Sequence, residues 1–63
     1  MDMPKDPIML MSFLNTQLRD NYSSLTELAK TYGVSEEELV GKMESIGYKY
    51  DEENNKFLKK QYY

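Results

Sequence analysis

The chain has 63 residues, 30% of them charged, a formal net charge of −3, and neither cysteine nor histidine. Such a chain makes one domain near the lower size limit for folding without staples. Disulfides, thiolate zinc sites and histidine-based catalysis are excluded, and the negative balance argues against a protein whose main task is to hold nucleic-acid phosphates.

Residues 1–5 are expected to form a flexible arm. Lys5 is the only early basic side chain, the apolar run from Ile8 to Leu14 is broken by Ser12, and no small-residue cleavage site follows. The segment therefore reads as neither an export signal nor a membrane span, which makes the cytoplasm the default compartment. Asp6 followed by Pro7 starts a helix: Asp caps, and Pro at the first position gives up no needed hydrogen bond. This first helix is expected over 6–20, with Asn21 taking the terminal left-handed conformation.

Its inner stripe is expected to be Ile8, Met11, Leu14 or Asn15, and Leu18. Met9, Leu10 and Phe13 fall outside that stripe, so the first two turns are apolar nearly all round. Two readings stand. Either a small core wraps this helix on more than one side, under the C-terminal segment, or Met9, Leu10 and Phe13 are an exposed patch for a protein partner or a second copy. Flexible, polarizable Met suits adaptable interfaces of that kind.

Ser24 with Glu27, and Ser35 with Glu38, are capping boxes that open helices over 24–33 and 35–47. Leu25, Leu28, Ala29 and Tyr32 make one face of the earlier helix, and Gly33 sits where a left-handed cap is needed. Val34 is placed to meet Leu39 as a hydrophobic staple. Leu39, Val40, Met43 and Ile46 line the later helix up to Gly47. After Gly47 the period changes to two: Tyr48–Lys49–Tyr50 alternates, Asp51 to Asn55 is turn-rich, and Lys56–Phe57–Leu58 returns. A β-hairpin is expected over 48–51 and 56–60, with Tyr48, Tyr50 and Phe57 lying on the helices. Residues 61–63 either extend the strand or are loose.

Two helices joined by a short glycine turn resemble a helix-turn-helix unit, with Ala29 as the small residue, Gly33 as the turn glycine, and Val34 and Leu39 as buried positions after it. The expected fold is thus mainly α within an α+β class. It has a three-helix, helix-turn-helix core followed by a short C-terminal hairpin, winged-helix-like, with residues 1–63 as one domain. In DNA-binding members of that superfamily, the start of the second helix meets base edges. Here that start carries Glu36, Glu37 and Glu38.

Those glutamates complement the helix dipole without any partner. Asp51 to Asn55 lacks the glycine and the distal glutamate of a calcium loop and reads as a turn. Lys42, Lys49, Lys56, Lys59 and Lys60 are the candidate nucleic-acid contacts, although lysines on an edge strand also guard against aggregation. The sequence contains no nucleophile with a base, no phosphate loop and no metal set. The expectation is a non-enzyme with no cofactor, no small-molecule substrate and no membrane partner. Protein interaction through helix 1 is the first reading, and nucleic-acid binding the second.

Over nearly its whole length the chain also resembles something narrower. PKDPIMLMSFLNTQLRDNYSSL, GVSEEEL and IGYKYDEENNKF together are similar to a family of short bacterial proteins catalogued as a domain of unknown function. The likeness runs from about Pro4 to Phe57. It implies a bacterial origin and supplies no activity.

Overall fold

The computed structural model describes residues 3–60. Three helices, α1 (Pro7–Asp20), α2 (Leu25–Tyr32) and α3 (Glu36–Glu44), are followed by an antiparallel pair of strands, β1 (Tyr48–Asp51) and β2 (Lys56–Lys59). This is the α+β order expected. Residues 1–2 and 61–63 lie outside the described residues, while Met3 packs against the core.

Local chemistry explains each boundary. The Asp6 carboxylate accepts from the amides of Ile8 (2.8 Å) and Met9 (3.2 Å), with Pro7 at the first helical position. Ser24 Oγ accepts from the Glu27 amide at 3.2 Å and Ser35 Oγ from the Glu38 amide at 3.3 Å. Each such cap stabilises by about 1 kcal/mol. Only this serine half of each capping box is formed among the described residues. Glu36, by contrast, accepts from the Thr26 hydroxyl at 2.6 Å and ties the start of α3 to α2. Gly33 takes φ 69°, and the Val34 amide behind it donates to the Ala29 carbonyl at 3.0 Å, a closure that a Cβ would strain.

Four expectations are corrected. Asn21 is not left-handed (φ −126°), because α1 closes through the Asn21 and Tyr22 amides, both donating to the Gln17 carbonyl. The left-handed asparagine is Asn55, at φ 53° in the hairpin turn. Helix α3 stops at Glu44, short of Gly47. The Ile46 and Gly47 amides turn back to Met43 and Glu44, and Gly47 at φ 84° launches β1. Val34 is 38% exposed and not a buried staple, whereas Leu39 is buried.

The fourth correction concerns α1. Its buried stripe is Leu10, Leu14 and Leu18, and Ile8 is 56% exposed. The stripe is rotated from the one expected because α1 is covered on two sides, by α2 and α3 and by β2. The three leucines join Leu25, Leu28, Ala29, Leu39, Met43 and Phe57 in one core. The hairpin register pairs Tyr50 with Phe57 and Tyr48 with Lys59 on the inner face. Lys49 pairs with Leu58, and Asp51 with Lys56, on the outer one.

Candidate functional site

The structure divides the apolar excess of α1 among three environments. Leu10, a candidate for partner binding, is 1% exposed and belongs to the core. Phe13 is half-buried and meets Tyr32 edge-on at 5.8 Å, with Tyr22 against Tyr32 at 6.1 Å. Burial, and after it the neighbouring Tyr22, pushes the Tyr32 hydroxyl up from its ordinary value. Met9 stays 62% exposed beside Ile8. The patch that remains is Ile8 and Met9, with Phe13 one turn further along the same helix.

The five lysines do not form one surface. Lys49 and Lys56 share the outer face of the hairpin, and Lys59 sits opposite Tyr48 on the inner side. Lys60 lies 3.8 Å from the Glu44 carboxylate. Lys42 stands apart on α3, on the rim of a cleft of about 260 Å³ whose floor includes Leu10 and Leu39 and whose walls include Lys5, Tyr32, Val34 and Glu38. That volume is below the roughly 300–1,000 Å³ of small-molecule sites. No group of three metal-ligating side chains occurs among the described residues, and none of their helices is long and apolar enough to cross a membrane.

Two asparagines organise the ground beneath these surfaces, and the sequence reading gave neither of them this role. Asn15 uses its side-chain amide as a substitute strand. Its Oδ1 accepts from the Phe57 amide at 2.7 Å, and its Nδ2 donates to the Phe57 carbonyl at 3.2 Å. Asn55 reaches from the turn to the end of α1, where its Nδ2 donates to the carbonyls of Leu18 (3.1 Å) and Tyr22 (2.9 Å). Its Oδ1 accepts from the Tyr50 hydroxyl, whose oxygen in turn accepts from the Leu25 amide at 3.2 Å. One chain of bonds through Asn55 and Tyr50, ending on the backbones of Leu18, Tyr22 and Leu25, thus joins α1, α2 and the hairpin. The available signal was a polar residue on an apolar stripe for Asn15, and an asparagine at a turn for Asn55.

The fold and its surfaces define a small α+β domain with an apolar patch at the start of its first helix and a hairpin packed into its core. The chain belongs to the family described as Domain of unknown function (DUF4250), whose pattern it matches over residues 4–57. No curated protein and no solved structure matches it.

Proposed function

We propose that this protein is a non-catalytic protein-interaction module of the bacterial cytoplasm, which docks a protein partner on the outer face at the start of α1. The observation that supports this reading is the adjacency of Ile8 and Met9, 56% and 62% exposed. Single exposed apolar residues are ordinary, whereas a large contiguous apolar patch marks a contact surface, and Met9 shares its face of α1 with Phe13 one turn on. The core already has Leu10, Leu14 and Leu18 from this helix, so Ile8 and Met9 contribute little to it.

A photo-reactive phenylalanine analogue in place of Met9, activated in the living bacterium, tests the reading. A defined adduct is expected, with another protein or with the chain itself, and Ile8→Lys is expected to abolish it. Ile8→Lys should change folding stability by no more than about 0.5 kcal/mol, since its site is on the surface. If position 9 gives no adduct beyond that of an exposed control such as Glu37, the reading fails.

A helix-turn-helix nucleic-acid reading draws on Lys49 and Lys56 sharing the hairpin's outer face. Glu36, Glu37 and Glu38 in the first turn of α3 weigh against it, because they stand where a phosphate backbone would approach. Titration with duplex and single-stranded DNA is expected to leave the amide spectrum unmoved. Salt-sensitive shifts confined to α3 and the hairpin would reverse that preference.

A further inference from the structure

The two edges of the hairpin are treated differently. In the observed register, Lys49 with Leu58 and Asp51 with Lys56 are the hydrogen-bonded pairs, and the Lys60 amide donating to the Gly47 carbonyl at 2.7 Å continues the series. The backbone groups of Phe57 therefore point away from β1, and Asn15 takes both of them. This blocks the edge of β2 with a side chain that imitates a strand. On β1 the corresponding outward groups are those of Tyr48 and Tyr50. Among the described residues neither has a hydrogen-bonding partner for them within the protein. A shallow concavity lined by Lys49 to Glu53 and by Leu58 of β2 lies over the outer face of the hairpin.

We propose that this open edge pairs antiparallel with the same edge of a second copy, joining two hairpins into a four-stranded sheet. Charge selects both the occupant and the register. Opposite residues in a pleated sheet must share a face. With Tyr50 opposite Tyr50 of the second copy, Lys49 faces Asp51 of the second copy, and the two-fold symmetry repeats the pair. Slipping by one allowed step places Lys49 on Lys49. Slipping the other way places Asp51 on Asp51. Like charges directly opposite are unfavourable, so the edge matches itself in one arrangement and resists its neighbours. The surface lies across β2 from α1, so the inference is independent of the docking face proposed above.

The test is a concentration series of amide-resolved spectra of the full chain over roughly 0.05–2 mM, the range of a weak association. Concentration-dependent shifts are expected at the Tyr48, Tyr50 and Glu52 amides, with Ile8 to Phe13 unmoved. Lys49→Glu sets two carboxylates against each other and is expected to weaken pairing about tenfold. Asp51→Lys is expected to do the same with two ammonium groups, and an equimolar mixture of these two variants should pair more tightly than either alone. Asp51 also accepts from the Glu53 amide (3.0 Å) and from Asn54 (2.6 Å) in the turn. Should Asp51→Lys not fold, Asp51→Asn, which keeps an acceptor there, is expected to weaken pairing severalfold. Spectra that do not change with concentration, shifts confined to α1, or a mixture no tighter than its components would each overturn the proposal.

Discussion

Asn55→Ala is expected to lower folding stability by about 2–4 kcal/mol, from the lost left-handed preference and the unpaired carbonyls together. A domain of this size has roughly 3–5 kcal/mol in all, so much of the population should be unfolded in water. The position concentrates several demands. Its backbone sits at φ 53°, and its amide group donates to the carbonyls of Leu18 in α1 and Tyr22 just beyond it and accepts from Tyr50. Asn55→Gly separates the causes, since it relieves the backbone without restoring any bond. It should recover about 1 kcal/mol of the loss. Urea denaturation of the three proteins measures both, and an Asn55→Gly variant as stable as the parent would mean that the network contributes nothing.

The same network has a pH signature. Burial pushes the Tyr50 hydroxyl up from its ordinary value, against the Leu25 amide, which pulls the other way. A raised folded value means that the neutral phenol is the form the fold prefers. The contribution is complete below the unfolded pKa of about 10 and is lost as pH rises through the folded one. An ionised Tyr50 also cannot donate to Asn55. Alkaline titration followed by helix signal should therefore show a loss that Tyr50→Phe reduces, the remainder tracing to Tyr32, whose hydroxyl is raised as well.

How much of this was legible follows from the range of each interaction. Asp6–Pro7, Ser24, Ser35, Gly33 and the turn before Lys56 act within four residues, so spacing alone exposes them. The inward face of α1 is a different matter. Leu10 reads as surplus, and Ile8 as core, only while β2 is left out of account. The strand that reorients α1 lies 42 residues away, where Phe57 meets Asn15. The exposure of Met9 was readable because it falls outside either version of the stripe. Asn15 and Asn55 act on backbone groups 33 to 42 residues distant, and no local pattern announces such bonds. The lysines were readable as charges but not as a surface, since their grouping depends on strand register and on Glu44 near Lys60.

Phe57→Ala should abolish folding altogether, in contrast to the behaviour of a hairpin merely attached to a helical core. Phe57 is 2% exposed, shares one core with leucines from all three helices, and lies 5.4 Å from the Tyr50 ring. Truncating a buried phenylalanine costs about 3–5 kcal/mol, which matches the entire stability expected for this size of domain. The alternative is a three-helix remnant with a melted hairpin. That remnant would leave the shared core without Phe57 and the carbonyls of Leu18 and Tyr22 without Asn55. Phe57→Leu keeps most of the apolar volume and should cost no more than about 1.5 kcal/mol. Its denaturation should still be a single transition, with far-ultraviolet and tyrosine signals coincident. If the tyrosine signal of the hairpin melts first while the helices persist, the strands are an appendage, and the inward turn of Leu10 needs another cause.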